Sequence, residues 1–431
     1  MPEIIIKEID KTSAAEANIS SEIVYIPGFG SKITDMKGWA DPRLYTSVSD
    51  FENEVGDAVV FTNELSANFG NATSGSSCVV AARGSADLSY QMAKELLQNG
   101  IPVLYHVFDT AANAAGYEDA LTLYQKLIAA METLTDIGQF DVKYVTSGGY
   151  PLFGLQDNSP KLLNYDQRMV SVASSRGDCI ALLDAPNYSA RALTGANSVS
   201  ADAKTFASAA EVKDKATYAA IMYPWGTANL PVSEVDREVP ASFMYLRCLA
   251  ESLKTNPSWM AIAGVARGLV PGLKSLSLDN RLTNAIADSY TSDDEDGVSI
   301  VPITNIRPTG LCFWGNRTLM PNPKGGPKAT SFLNLRNLIC DVKKVCYTAA
   351  KTLMFEQNSE MLWTQFKSKI MPTLDRMTTG QGLSGYKIVR LPSNDKTKLK
   401  AQIILYPVYA VEKFDITIVM TNEDLAVTDG N

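Results

Sequence analysis

Six residues, GQGLSG at 380–385, satisfy the glycine pattern G-x-G-x-x-G that cradles dinucleotide phosphates. That chemistry needs a strand before the glycines and a helix after them, so that the pyrophosphate meets free helix N–H groups. Here the order is reversed: a helical period precedes the motif and the strand-like run YKIVRL follows it. The expectation is a helix end, with Gly380 in a left-handed cap. SDDEDG at 292–297 begins like a calcium loop, but its twelfth position is Ile303, with Pro302 beside it, where a glutamate is required. A solvated acidic turn is expected instead. RGDC at 176–179 runs directly into an apolar strand, which makes it a strand approach and not an adhesion loop. The chain has one histidine, His106, inside the apolar run IPVLYHVF. A single histidine and no G-x-S-x-G elbow leave the many serines without a base, and a histidine metal triad is impossible. His106 is expected to be a hydrogen-bonded core residue. The six cysteines are scattered singly, with no metal-ligand spacing, and are expected as reduced, buried thiols. No catalytic residue, cofactor or metal site is assigned.

The composition is that of an ordinary globular protein. Of 431 residues, 45% are hydrophobic and 20% charged, enough for two or three domains with cores of their own. The net charge of −8 opposes phosphate neutralisation, so no nucleic-acid partner is expected. Apolar runs such as IPVLYHVF and CIALLDAP are too short to cross a bilayer, and the first residues lack the pattern of a signal peptide.

Three regions follow from patterning. Residues 1–30 form an arm: the strand-like PEIIIKEID, an Ala/Ser-rich tether, then IVYIPGFG. Residues 31–270 alternate strand-like and helical stretches, the mark of an α/β layer fold. Leu88, Met92, Leu96 and Leu97 share one helix face before Gly100 stops it, and YEDALTLYQKLIAAMETL is again helical. DVKYVTSGG, CIALLDAP and YAAIMYPW are expected as buried strands. From 271 to 421 the character changes to α+β. A helix through 334–354 carries Leu335, Leu338, Ile339, Val342, Cys346, Ala349 and Leu353 on one stripe and Arg336, Lys343, Lys344 and Lys351 opposite. A second helix starts at Asn358 or Ser359 and runs past Pro372, where a kink is expected. Strands YKIVRL, LKAQIILYPVYA and KFDITIVM close the region, and 422–431 is a tail. The terminal runs raise a problem: PEIIIKEID and EKFDITIVM have no evident partner strand within the chain.

An ordered series of motifs resolves it by resemblance. CIALLDAP with Arg176 ahead of it, YAAIMYPW, VPAS at 239–242, GLCFWGNRTL at 310–319, FLNLRNL with MFEQNSEMLW, and YPVYAVEKFDITIVM resemble, in this order, the contractile tail sheath family of phages and injection systems. The likeness covers about 165–421 plus the N-terminal strand and SVSDFENEVG at 47–56; within the outer domain, 57–165 is the least alignable part. Departures include WMAIAGVARGL in place of the family's R-G-V-W-K-A-P-A, and GNR in place of G-A-R.

The resemblance implies a subtilisin-like central α/β domain without protease chemistry, and a C-terminal domain completed by strands from neighbouring subunits. It implies no enzyme activity. Ile4, Ile5 and Ile6, with Phe414, Ile416 and Ile418, become inter-subunit strand contacts. Partners implied are further copies of the chain in hexameric rings and a helical polymer, an inner tail tube protein, and baseplate and tail terminator proteins. The assembly would form in a bacterial cytoplasm and end in a virion tail. Lys343, Lys344 and Lys351 are the candidate tube-facing residues. Burying three isoleucines gives roughly 5–9 kcal/mol and each strand hydrogen bond about 1 kcal/mol, against about 8–16 kcal/mol to order the arm. A single arm is near break-even, and a closed lattice makes many of them cooperative. Two other classes stay open on the residues alone: an α/β enzyme with a cleft at its strand ends, and a non-contractile shell protein.

Overall fold

Strands with apolar side chains on both faces need cover on both faces, and the centre of the molecule is built that way. The computed structural model of the chain describes residues 22–28, 39–56, 82–107, 128–148, 164–185, 198–230, 235–276 and 284–413. Its main sheet comprises β1 (Val24–Gly28), β2 (Arg43–Tyr45), β3 (Val103–Val107), β4 (Tyr144–Val145), β5 (Ile180–Asp184), β6 (Ala219–Tyr223), β10 (Val301–Ile306) and β11 (Gly310–Phe313). The order is β11-β10-β6-β5-β4-β1-β3-β2. The six inner strands are parallel, and β11 and β2 pair antiparallel at the two edges.

Side chains alternate through this sheet as the two-residue strand period requires. Tyr25, Leu104, Val145, Leu183 and Ile221 pack with helices α3 (Asn164–Arg176) and α4 (Val199–Ser208). Val24, Ile26, Val103, Leu182 and Met222 pack on the other face with α1 (Val48–Val55), α2 (Ala82–Gln98) and α5 (Ala241–Leu253). Helix α2 buries Leu88, Met92, Leu96 and Leu97, and Gly100 follows it at φ 79°, a conformation that favours glycine. Of the second expected helix, residues 128–132 are helical; its first part, 117–127, lies outside the described residues. The run DAVVFTN also lies outside them.

A smaller antiparallel sheet joins β7 (Gly226–Leu230), β8 (Val235–Val239) and β9 (Leu273–Leu276). Arg247 of α5 fastens it: one guanidinium nitrogen donates to Glu95 at 2.7 Å and to the Asn229 carbonyl at 2.8 Å. Beyond α6 (Gly264–Arg267) and α7 (Asn284–Ser289), the last layer is helices α8 (Leu333–Thr352) and α9 (Glu360–Thr379) with the hairpin β12 (Leu383–Leu391) and β13 (Lys400–Pro407). It has its own core of Leu338, Val342, Ile370, Leu374, Met377, Leu383 and Leu405, sealed by Trp259. The Ser359 hydroxyl caps α9, accepting the Leu362 N–H at 3.3 Å, and the helix continues through Pro372.

Several expectations change. Residues 24–28, expected within an arm over 1–30, are a central strand of the main sheet, and residues 1–21 lie outside the described residues. The boundary expected at 270/271 cuts through a sheet that takes in β10 and β11; the separate C-terminal core begins with α8. The stretch 57–165, expected as a variable outer region, contributes β3 and β4 to the sheet. Gly380 is not left-handed, with φ −83°; Gln381 is, at φ 59°. The glycines serve a different need. A Cβ on Gly380 would lie 2.7 Å from Trp259 Cζ2, and one on Gly382 2.7 Å from Trp259 Cδ1. The indole packs between them and its Nε1 donates to the Gly380 carbonyl at 3.0 Å. The phosphate-like motif is a seat for a tryptophan.

Candidate inter-subunit site

Side chains that could do chemistry are engaged in holding the fold. The His106 Nε2 donates to the Trp39 carbonyl at 3.0 Å, which leaves Nδ1 facing the Tyr25 hydroxyl at 3.3 Å. Burial pushes its pKa below the usual histidine value. Arg176 and Asp178 of the RGD triplet are buried against each other at 2.9 and 3.0 Å, and Arg176 also donates to the Leu134 and Phe140 carbonyls. Among the described residues five cysteines are free thiols, and burial raises those of Cys312 and Cys346 to about 11 and about 12. Among the same residues no cluster of three potential metal ligands exists, and no helix is long and apolar enough to cross a membrane.

The strand order reverses between β1 and β4, where an α/β enzyme would open its crevice. Among the described residues, the strand ends there are close-packed. A Cβ on Gly28 would fall 2.0 Å from the Tyr105 hydroxyl, and one on Gly148 2.6 Å from the Pro27 carbonyl oxygen.

The motif series converges on structural staples. Asp184, of ALLDAP, accepts the Ser242 N–H at 2.7 Å and its hydroxyl at 2.6 Å, so the VPAS turn caps α5 on that carboxylate. Burial raises the Asp184 carboxyl to about 7, against the lowering effect of both Ser242 bonds. Trp225, of YPW, donates to the Ala185 carbonyl at 2.9 Å. Asn316, of GNR, donates to the Asn334 side chain at 2.7 Å and accepts the Asn334 N–H at 3.2 Å, which joins GNR to LNLRNL.

Two charged clusters lie where the described chain meets its terminal segments. At the N-terminal side, Lys143 lies between Glu22, 3.6 Å away, and Asp341 of α8, which it pairs with directly. Ser258 donates to the same Asp341 at 3.2 Å. At the C-terminal side, Arg317 Nε donates to both Glu412 oxygens at 2.9 and 3.0 Å, and its Nη2 donates to Asp293 at 3.2 Å. Lys413 pairs with Asp293 in turn. The guanidinium lies 4.4 Å from the centre of the Phe332 ring, and Phe332 meets Tyr409 edge-on at 5.2 Å. The acidic turn at 292–297 therefore has a charge partner, which sequence spacing could not reveal.

The β12–β13 hairpin ends five residues before Glu412 in the chain. Tyr386 pairs with Leu405 and Ile388 with Ile403, all packed towards α8 and α9. Among the described residues no third strand joins this two-stranded sheet, although a lone hairpin is a weak unit and its edges are templates for added strands.

Ile4, Ile5, Ile6, Phe414, Ile416 and Ile418 lie outside the described residues. Of the three lysines expected to face a tube, two have internal partners. Lys343 donates to the Tyr218 hydroxyl at 2.9 Å, and Lys344 pairs with Asp141. Arg336, assigned to the same polar face, is fully buried with its guanidinium 4.3 Å from the Tyr218 ring centre. The reason is that α8 is wedged between two layers, with its polar face against β5 and Tyr218 and its apolar face against α9. Only Lys351 of the three is exposed.

No family model matches the chain. A curated tail sheath protein of Vibrio phage KVP40 is 25% identical over 197 residues, 44% of this chain and 27% of that relative, so well under two thirds of the relative's length is matched. Among solved structures, the sheath complex of an extracellular contractile injection system, PVC, in its contracted state aligns with a TM-score of 0.60 at 18% identity, covering 98% of each chain. The contracted helical sheath of the anti-feeding prophage aligns at 0.57 and 16% identity, covering 98% of this chain and 99% of that one. A chain of that system's contracted baseplate structure aligns at 0.62 and 18% identity, with the same coverage. In fold, over nearly its whole length, the chain is similar to the sheath proteins of contractile systems, and over a 197-residue stretch its sequence is similar to a phage tail sheath protein.

Proposed function

We propose that the chain is the structural subunit of a contractile sheath. Copies of it polymerise as stacked hexameric rings around an inner tail tube, and contraction of the lattice drives the tube through a target envelope. The observation that carries this is the agreement in fold with two contracted sheaths over 98% of the chain. The unpaired hairpin beside the C-terminal layer supports it: its edges offer the backbone groups that strands 2–10 and 414–419 of neighbouring copies would fill. An association with a baseplate is supported by the likeness to a chain of a baseplate structure; tube and terminator contacts belong to the same reading, with Lys351 the exposed lysine left for the tube. A non-enzymatic role accords with the bonded His106 and the packed β1/β4 crevice. Contraction by rigid-body movement accords with α8, which is anchored to both layers and would carry them together. Assembly would take place in the host cytoplasm, with the finished sheath in a phage tail or related injection particle.

The full chain, purified alone and viewed by negative-stain electron microscopy, should give hollow striated tubes without nucleotide. Removing residues 1–12 should leave folded subunits that form none. Tubes of normal length from the truncated protein would sink the strand-donation part of the proposal, and monodisperse monomers that stay single even with a tube protein present would sink the whole.

A further inference from the structure

We infer that Arg317 is the positioning residue of the C-terminal arm: with Asp293 and Phe332 it latches residues 409–413 onto the body, so that the arm departs at residue 414 in a fixed direction. The inference deepens the sheath reading and rests on it for the word arm; the latch itself is a property of the single chain.

Three contacts converge on a five-residue segment that belongs to no helix or strand. The Arg317 side chain is 4% exposed, yet its fork reaches the nearly surface-level Glu412 carboxylate through both oxygens. Paired N–H···O⁻ bonds of this kind fix orientation as well as distance. Asp293 accepts from the guanidinium Nη2, which also reaches Glu412, and from Lys413 as well, so adjacent residues of the segment are held by one linked network. Phe332 supplies the floor, carrying the Arg317 guanidinium on its ring and Tyr409 at its edge. Backbone geometry keeps the base in place, since Arg317 and Phe332 form an antiparallel bridge. After Pro407, β13 has ended, and Tyr409 and Val411 are 49% and 68% exposed, so apolar burial contributes little to holding the segment. The charges do that work. A strand handed to a neighbour must leave at a defined point and angle, and otherwise the effective concentration that makes the lattice cooperative is lost.

The test is hydrogen exchange read by mass spectrometry on the full-length protein, with and without Glu412→Gln, alongside electron microscopy of the assembled tubes. Glu412 is partly exposed, so the variant should fold, and unchanged protection across 333–345 checks that it has. We expect 409–413 to be protected in the unaltered chain and to exchange about tenfold faster or more in the variant, the scale of losing charge-assisted bonds. Tubes should become fewer and shorter. Arg317→Lys, which keeps the charge but not the fork, should fall between. Equal exchange in variant and unaltered protein overturns the latch, and so does a segment that exchanges freely in both. Faster exchange with unchanged tubes overturns the positioning role. If the unaltered chain forms no tubes under any condition, the sheath reading fails separately, and the exchange rates alone decide the latch.

Discussion

The molecule holds a cation between two carboxylates at each end of its described chain, and the two arrangements differ in depth. Lys143 is 0% exposed, with Glu22 at 1% and Asp341 at 14%. Arg317 is 4% exposed, but its carboxylates Glu412 and Asp293 reach 21% and 41%. A charge in the first cluster has no water to return to, so the cluster opens only when the body opens. The second can exchange its partners for solvent one at a time. The N-terminal segment thus starts from a point fused to the core, through β1 and α8 together, whereas the C-terminal segment starts from a latch on the surface. One attachment can be loosened without unfolding anything, and the other cannot.

The largest expected effect comes from breaking the deep cluster. Lys143→Met keeps most of the side-chain volume but leaves two carboxylates facing each other in a buried site. Removing one partner of a buried ion pair costs on the order of 3–5 kcal/mol, and the loss should appear as a lower denaturant midpoint for the whole protein. Burial already depresses the Lys143 pKa, against the raising effect of Glu22, so desolvation outweighs attraction at this site. A loss below about 1 kcal/mol would mean that the cluster is hydrated and that the contrast in depth is false.

Much of the deep region was legible in the sequence and almost none of the latch was. The continuous apolar runs IPVLYHVF and CIALLDAP identified buried strands, since short apolar runs bounded by turn residues fit strands covered on both faces. Placing IVYIPGFG in the arm was an error of pairing: β1 is a strand by pattern, but its partners β3 and β4 lie about 80 and 120 residues away. The polar face of α8 was misjudged because periodicity distinguishes apolar from polar and not protein from water. Arg336 and Lys343 look solvated in sequence and instead meet Tyr218, more than 100 residues earlier. Trp259 between Gly380 and Gly382 left no local signal at all. GNR could be quoted as a motif, but nothing in the order of residues says that its arginine reaches Glu412 across 95 positions.

A gentler change sharpens the same contrast. Glu22→Gln removes a charge from the deep cluster and leaves Lys143 its direct partner Asp341. The loss should be about 1–3 kcal/mol, the range for a buried charged group deprived of one interaction. It should again be global, with the same fall in midpoint by fluorescence and by circular dichroism. A change confined to exchange near residue 22 would show that the N-terminal attachment opens locally, as the C-terminal one does, and the two regions would then differ in degree only.

The smallest effect belongs to Asp293→Asn. Asp293 is the most exposed carboxylate of either cluster, and its hydrogen bond from Lys413, followed by the attraction of Arg317, holds its pKa below the ordinary aspartate value. A carboxyl depressed in the folded state adds stability above its unfolded pKa of about 3.9 and loses it as the pH falls through the lower folded value. The substitution should therefore speed exchange of 409–413 by less than about threefold at pH 7, the scale of surface pairs, and should remove part of the acid dependence. Added salt should do the same to the unaltered protein, because exposed charges are screened within about 10 Å at 0.1 M. The buried Lys143 cluster should not respond. Equal salt sensitivity at 409–413 and at β1 would erase the distinction between a fused attachment and a latched one, because it would mean that ions reach both.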